Sequence, residues 1–269
     1  MIKTKSIKTS FTGSNGNKLD ARLEMPLGEI KSYIIFSHCF TCSKDIITTY
    51  RSSRMLAKNG YAVLRFDFAG LGASEGEFAN CNFSTTVEDI NSAIHYLTEN
   101  HTAPTILIGH SLGGTSSLVA AIANDCIEKT ITIASPSQPA HILHHFGYAL
   151  TMLEQNIASS FEVAGNVHDI NPQFVEDVRE WDMQNQLARL DKPVLIFNIE
   201  NDALVNEGNA SEIEQWVNGK TTLINLKDTD HILSNKEANE EMVERIVDWL
   251  ETPHPNLLSE GEGTKITSL

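Results

Sequence analysis

The chain has 269 residues, a formal net charge of -15 and a hydrophobic share of 41%. This length can bury a sizeable core, and α/β folds of this size often form one domain. The negative charge argues against a nucleic-acid partner, whose phosphates it would repel, and disfavours strongly anionic substrates. No apolar run approaches the roughly 20 residues that span a bilayer. The basic first residues lead into no hydrophobic segment, so we predict no signal peptide and no membrane partner.

Strands and helices alternate through the first half of the chain. In order, the predicted elements are strands at 7–12, 19–25 and 33–37, a helix at 46–59, a strand at 61–67, a helix from 83, a strand at 104–108, a helix at 115–123 and a strand at 130–134. The first two strands flank a Gly-Ser-Asn-Gly turn at 13–16 and should form an antiparallel hairpin. The alternation predicts a mostly parallel sheet with helices on both faces.

The alternation stops between residues 135 and 189, and we interpret this segment as a small cap inserted between two strands. Its predicted elements are a helix at 141–157, a hairpin at 161–169 and a helix at 174–181. The elements predicted after it are a strand at 194–199, a helix at 210–217, a strand at 221–226 and a helix at 235–250. We therefore predict one domain over residues 1–251, with a disordered polar tail at 252–269.

The run GHSLGG at residues 109–114 fits the G-x-S-x-G nucleophile elbow. An apolar strand precedes the motif and a helix of small residues follows it, which is the context the motif requires. The glycines at 109 and 113 would leave neighbouring backbone room to pass without a Cβ clash. We therefore predict that Ser111 is a catalytic nucleophile.

A serine hydroxyl needs a base within reach and an acid that orients the base. In this topology the three residues follow the chain order Ser, then Asp or Glu, then His. Glu200 and Asp202 both follow the strand at 194–199. We prefer Asp202, because it begins the turn after the strand, and keep Glu200 as the alternative acid. His231 is the histidine between the last strand and the last helix, so we predict that it is the base.

Acyl transfer also needs two backbone N–H donors for the developing oxyanion. One should belong to Leu112, directly after the nucleophile, and the other to Phe40, in the loop after the third strand. We also predict substrate contacts from His38 in that loop and from Phe146 and His144 on the cap helix.

Three runs of sequence resemble a known family. They are SHCFTCSKD at 37–45, RFDFAGLGASEG at 65–76 and GHSLGG at 109–114. Over residues 1–251 the chain resembles α/β-hydrolases of the serine esterase type, and in particular the hydrolase half of bacterial bifunctional α/β-hydrolase/OsmC-family proteins. The resemblance implies an eight-stranded sheet with an antiparallel second strand, and kinship with cinnamoyl and feruloyl esterases that carry a small cap. It also implies a functional link to an OsmC-like domain, which those proteins carry after the hydrolase part.

Several other patterns suggest metal or cofactor sites, but we expect none. The chain has four cysteines, which we predict to be reduced thiols in a cytoplasmic protein. Cys39 and Cys42 have the spacing of a redox or zinc site, yet no second pair accompanies them. His141, His144 and His145 lack a carboxylate in the same turn and are expected on a wet or cleft-facing surface. The glycines at 70–76 are spaced one residue too far apart for a dinucleotide fingerprint.

Together these features predict a serine hydrolase that cleaves small-molecule carboxylic esters through an acyl-enzyme, with no cofactor. The alternatives are a thioesterase or amidase with the same triad and, from a different class, a non-catalytic ligand-binding or regulatory module. A homodimer is one assembly compatible with the sequence.

Overall fold

The computed structural model describes residues 2–163 and 165–252. The strands are β1 (Thr4–Thr12), β2 (Lys18–Pro26), β3 (Ser32–Ser37), β4 (Tyr61–Phe66), β5 (Ile106–His110), β6 (Lys129–Ile133), β7 (Ser159–Val163), β8 (Asn166–Ile170), β9 (Val194–Ile199) and β10 (Thr221–Leu226). The α-helices are α1 (Ile47–Lys58), α2 (Phe83–Asn100), α3 (Leu112–Ala123), α4 (Tyr148–Glu154), α5 (Gln173–Glu180), α6 (Met183–Leu187), α7 (Glu207–Trp216) and α8 (Lys236–Glu251). From residue 253 on, the predicted tail lies outside the described residues.

Eight strands form one sheet in the order β1-β2-β4-β3-β5-β6-β9-β10. Strand β2 runs antiparallel to both of its neighbours, β1 and β4. The other neighbouring pairs in this sheet are parallel. The predicted hairpin and the predicted mostly parallel sheet are therefore confirmed.

The apolar strands at the centre of the sheet are buried on both faces. In β3, Ile34 and Phe36 belong to a hydrophobic cluster that includes side chains of α1 and α8. Ile35, between them, points to the opposite face and belongs to a second cluster with side chains of α2, α3 and α7. Parallel strands covered in this way need apolar residues at successive positions, which explains their lack of polar alternation.

The cap, defined here as the segment between β6 and β9, differs in part from its prediction. The hairpin is confirmed, since β7 and β8 pair antiparallel. The single helix predicted at 141–157 is wrong: a 3-10 helix at Pro139–Phe146 is followed by α4, and Gly147 separates them. Gly147 has φ 49° and ψ -125°, a conformation that ends a helix and favours glycine. Helix α6 was not predicted.

Among the described helices, none combines the length and the apolar character that crossing a membrane would need.

Candidate active site

Ser111 occupies a tight turn between β5 and α3. Its backbone has φ 53° and ψ -128°, outside the regions that residues with a Cβ usually adopt. A Cβ on Gly109 would lie 2.3 Å from the carbonyl oxygen of Gly113, and a Cβ on Gly113 would lie 2.3 Å from that of His38. Only glycine fits at these two positions. The predicted strand-turn-helix context and the predicted reason for both glycines are confirmed.

His231 and Asp202 form a close pair at the ends of two neighbouring strands. His231 Nδ1 lies 2.7 Å from Asp202 Oδ2, and the Asp202 side chain is fully buried. The backbone N–H groups of Leu204 and Val205 donate to the other carboxylate oxygen, Oδ1, at 2.8 and 3.3 Å. Burial acts to raise the pKa of Asp202, but the hydrogen bonds and the His231 charge outweigh burial and lower that pKa. Asp202 is therefore held as a carboxylate that faces the imidazole.

Glu200, the alternative acid, points elsewhere. Its carboxylate lies 3.4 Å from Lys227 Nζ, and its side chain is one-third exposed. The chain turns directly after it, where Asn201 has φ 58°, and this turn directs Asp202 back towards His231. The structure thus places Asp202, not Glu200, against the imidazole.

A hydrogen bond from the buried His110 side chain fixes the loop that carries His231. His110 is fully buried, and its Nε2 lies 2.7 Å from the carbonyl oxygen of His231. Burial, followed by the nearby charge of His231, lowers the pKa of His110 to about 3. His110 is therefore neutral near pH 7 and can donate its Nε2 proton to that carbonyl. Thr48 Oγ1 donates to the carbonyl oxygen of Ile232, the next residue.

A cavity of about 250 Å³ opens between these residues and the cap. Ser111 and His231 both line it, together with Leu112 and Phe40. Within this described region, no hydrogen bond joins the Ser111 hydroxyl to His231. Such contacts are often long without substrate and shorten in the substrate complex.

Two backbone donors beside the cavity have no partner. In the described part of the chain, neither Phe40 N nor Leu112 N donates a hydrogen bond. Unpaired backbone N–H groups are rare in buried positions, and Leu112 is 4% exposed. Leu112 also begins α3, where the helix dipole favours negative charge. These two groups are therefore free to donate hydrogen bonds to a negatively charged oxygen beside Ser111.

The loop that carries Phe40, residues 38–44, is anchored at both ends. His38 is buried; its Nδ1 lies 2.8 Å from the carbonyl oxygen of Cys39, and its Nε2 accepts from Phe68 N at 3.2 Å. At the other end, the backbone N and Nζ of Lys44 both donate to Asp67 at 2.6 Å. We expected His38 to contact substrate, but the structure places it beneath the loop, outside the wall of the 250 Å³ cavity.

The two cap residues expected to bind substrate also lie away from the cavity wall. Phe146 is 3% exposed and packs against the rings of Phe161 and Phe174. His144 is exposed to solvent. Ile142 and His145 line the cavity instead. They are three residues apart in a 3-10 helix, which has three residues per turn, so both project from one face.

The prediction that all four cysteines are reduced is wrong. Cys39 and Cys42 form a disulfide, with their Cα atoms 5.4 Å apart. The hydrogen bond from Cys42 N to the carbonyl oxygen of Cys39 closes a tight turn that brings the two side chains together. Cys81 and Cys126 are free thiols.

The described residues contain no group of three His, Cys, Asp or Glu side chains arranged to hold a metal ion. In the cap, His141 Nε2 lies 2.9 Å from the carbonyl oxygen of Leu204, a contact in which this nitrogen donates. His141 and His145 face the cavity, while His144 faces solvent.

Several known proteins are similar to this chain in sequence and in fold. Residues 29–180 match a family model described as serine aminopeptidase, S33. The esterase domain of a Rhodothermus marinus protein is 32% identical, with a TM-score of 0.75 over 91% of this chain and 97% of that one. Est1E from Butyrivibrio proteoclasticus, solved with ferulic acid bound, is 22% identical and has the same fold, with a TM-score of 0.75 over 90% of this chain and 98% of that one.

The mitochondrial palmitoyl-protein thioesterase ABHD10 of Pongo abelii is 24% identical over 202 residues. That alignment spans 71% of this chain and 64% of the relative, and the one with the Rattus norvegicus protein, 40% identical, spans 28% and 23%. The chain thus matches less than two-thirds of the length of these curated relatives. The family model, by contrast, covers more than half of the chain, and the fold agrees with it. The protein therefore belongs to the S33 serine aminopeptidase family and has the α/β-hydrolase fold.

Proposed function

We propose that this protein is a serine esterase that cleaves carboxylic esters through an acyl-enzyme on Ser111. The observation that carries the proposal is the convergence at one cavity of three features. They are a serine in a strained backbone conformation at the cavity wall, the His231–Asp202 pair, and two unpaired backbone donors. No simple packing requirement needs all three at one place.

In the proposed reaction, Ser111 Oγ attacks the acyl carbon while His231 Nε2 takes the hydroxyl proton. Phe40 N and Leu112 N bind the oxyanion of the tetrahedral intermediate. His231 then protonates the departing alcohol oxygen, and the acyl group stays on Ser111. Water then attacks the acyl carbon of the acyl-enzyme while His231 Nε2 takes one of its protons. The bond to Ser111 Oγ breaks, His231 returns the proton to that oxygen, and the acid is released. Asp202 keeps Nδ1 of His231 protonated, so that Nε2 is free to accept the proton.

The cavity favours neutral substrates of small to medium size, including aromatic esters. Its walls include the apolar side chains of Ile142, Val163 and Leu204, and the formal charge of -15 disfavours anionic groups. Est1E, whose structure contains ferulic acid, shares the fold. Ligand pockets of this type are mostly apolar, with a few polar groups that orient the ligand.

Thioester cleavage is the second candidate, because the curated relatives carry the name palmitoyl-protein thioesterase. The same residues would perform it, with a thiol as the leaving group. Matched ester and thioester pairs, with acyl chains from acetyl to palmitoyl, would separate the two activities. Higher kcat/KM for the palmitoyl thioester than for every ester would favour the thioesterase.

A fluorophosphonate probe tests the proposed function directly, because it reacts only with an activated serine. We expect labelling of the wild-type protein at Ser111, found by peptide mass spectrometry, and no labelling of Ser111→Ala. Absence of labelling in folded wild-type protein would favour the non-catalytic ligand-binding module.

The cap should control substrate size without affecting the chemistry. Val163 is half-buried and lines the cavity, so Val163→Phe should narrow it. We expect kcat/KM for bulky aryl esters to fall by about tenfold or more, with acetyl esters little changed. Tyr148→Ala is the matched control, since Tyr148 is 77% exposed on the same cap. Equal losses for acetyl and aryl esters would mean that Val163 only supports the fold.

Activity should be lower in acid than at neutral pH, because the proposed base must be neutral to accept the proton of Ser111. Burial is the main cause that lowers the pKa of His110 to about 3 and that of His145 to about 4, so both stay neutral through this range. The lowered pKa of Asp202 keeps it ionised. A plot of log kcat/KM against pH should have a slope of one, also in His141→Gln. A slope of two would implicate a second histidine.

A further inference from the structure

The Cys39–Cys42 disulfide closes the turn that carries one proposed oxyanion donor. Phe40 lies between the two cysteines, and its N–H donates no hydrogen bond within the described residues. Both cysteines line the cavity that holds Ser111. The link is therefore part of the wall of the proposed active site.

The direction of the Phe40 N–H depends on the carbonyl group of Cys39. A peptide unit is planar and trans, so the N–H of Phe40 points opposite to the C=O of Cys39. The Cys39 oxygen accepts from His38 Nδ1 at 2.8 Å and from Cys42 N at 3.2 Å. The second of these bonds spans the same two residues as the disulfide. A change in the Cys39–Cys42 turn would therefore rotate the Phe40 N–H.

The turn holds a residue in an unfavourable backbone conformation. Thr41 has φ 57°, a left-handed value that a β-branched residue rarely adopts. Its hydroxyl donates to the carbonyl oxygen of Phe40 at 2.7 Å. Such a conformation persists where its surroundings enforce it, and the disulfide is the covalent constraint across this turn. Without the disulfide, Thr41 can relax to a common backbone conformation.

The ends of the loop do not depend on the disulfide. His38 is buried and bonded to Phe68 N, and Lys44 is bonded to Asp67 through two contacts. The Phe40 ring packs between those of Phe78, Phe146, Phe161 and Phe174. These contacts hold the fold and the ring. The Cys39–Phe40 peptide is oriented by two bonds to the Cys39 oxygen, one from His38 Nδ1 and one from Cys42 N, and only the second lies across the disulfide-linked turn. Loss of the disulfide should therefore affect the donor and not global stability.

We infer that the Cys39–Cys42 disulfide is a positioning element of the oxyanion hole, and that its reduction by low-molecular-weight thiols slows ester cleavage. The inference rests on the proposed function. Cys42 is half-buried at the cavity, whereas Cys39 is 5% exposed, so Cys42 Sγ is the sulfur that a small thiolate reaches. Attack forms a mixed disulfide at Cys42 and releases Cys39 as a thiolate. A second thiol displaces Cys42 and leaves as the oxidised disulfide, so two thiols are oxidised for each protein disulfide reduced.

The test compares ester turnover by the oxidised and reduced protein. A phosphine, tris(2-carboxyethyl)phosphine, serves as reductant, because an added thiol could itself accept the acyl group; mass spectrometry verifies the state of the disulfide. We expect kcat for p-nitrophenyl acetate to fall by about tenfold to a hundredfold on reduction, as when an oxyanion donor is impaired. KM and the melting temperature should change little. Re-oxidation should restore kcat.

Two variants serve as controls. The Cys39→Ser/Cys42→Ser double variant should have the kcat of the reduced wild type, and the reductant should not change that kcat. The Cys81→Ser/Cys126→Ser variant removes the free thiols, and its kcat should fall on reduction as much as that of the wild type. Equal kcat in both redox states, with Ser111 still labelled by fluorophosphonate, would overturn the inference and leave the proposed function standing. Failure to label Ser111 in either state would instead overturn the proposed function, and the inference with it.

Discussion

Replacement of Ser111 by alanine should lower kcat for p-nitrophenyl acetate by about 10⁵- to 10⁶-fold, as expected when a triad that acts as a unit loses its nucleophile. The fold should be unaffected. In the described structure the Ser111 hydroxyl makes no hydrogen bond, and alanine tolerates φ 53° no worse than serine does. Steady-state kinetics measure the loss, and the melting temperature should remain within a few degrees of the wild type.

Ser116 provides the matched control for this substitution. It lies in the same helix, α3, is fully buried, and donates to the carbonyl oxygen of Leu112 at 3.0 Å. Ser116→Ala therefore removes a buried hydroxyl near the site without touching the proposed nucleophile, and kcat should stay close to the wild-type value. Near-normal turnover in Ser111→Ala would rule out the proposed mechanism, whatever the control shows.

The sheet could be predicted from the sequence because each central strand is a short apolar run between turn residues. The predicted bounds of β9 and β10 agree with the structure, and those of the other sheet strands differ by a few residues at their ends. Parallel strands also place their carboxyl ends at one edge. The loops after β3, β5, β9 and β10 carry Phe40, Ser111, Asp202 and His231, so chain order alone indicated which residues would meet.

The cap could not be predicted with the same accuracy. Of its five apolar positions, those at 142, 146, 149 and 153 are buried, as the helical pattern indicated, whereas Ile157 is 43% exposed. The pattern assumed an α-helix throughout, however, whereas residues 139–146 form a 3-10 helix. In that segment His145 lines the cavity, and His144, chosen from the sequence, faces solvent.

The disulfide and the buried positions of His38 and His110 could not be predicted from the sequence, because they depend on tertiary structure. The C-x-x-C spacing is compatible with a thiol pair, a metal site or a disulfide, and only the turn at 39–42 decides between them. His38 and His110 are titratable residues next to the site, which made His38 a candidate for substrate binding. Both are fully buried, and each lies within hydrogen-bond distance of a backbone carbonyl, that of Cys39 and that of His231. His38 therefore positions its own loop, and His110 positions the loop that carries His231.

Replacement of Asp202 by asparagine should lower kcat by roughly 10⁴-fold while leaving the fold intact. The backbone N–H groups of Leu204 and Val205 donate to one oxygen of Asp202, so the amide oxygen of asparagine would take that place. Its NH₂ group would then face His231 Nδ1, where Asp202 Oδ2 now lies 2.7 Å away. An amide N–H donated to Nδ1 leaves the ring proton on Nε2, which can no longer accept the proton of Ser111.

The matched control for Asp202→Asn is Glu200→Gln, the same change two residues away. Glu200 is paired with Lys227 on the surface, and an exposed ion pair contributes little to stability. We therefore expect its kcat to remain within about twofold of wild type, because no contact links Glu200 to His231. The rate of labelling by a fluorophosphonate probe should be low for Asp202→Asn and equal to that of the wild type for Glu200→Gln. Wild-type kcat in Asp202→Asn together with loss of activity in Glu200→Gln would identify Glu200 as the acid. That result would contradict the proposed role of Asp202 in orienting His231.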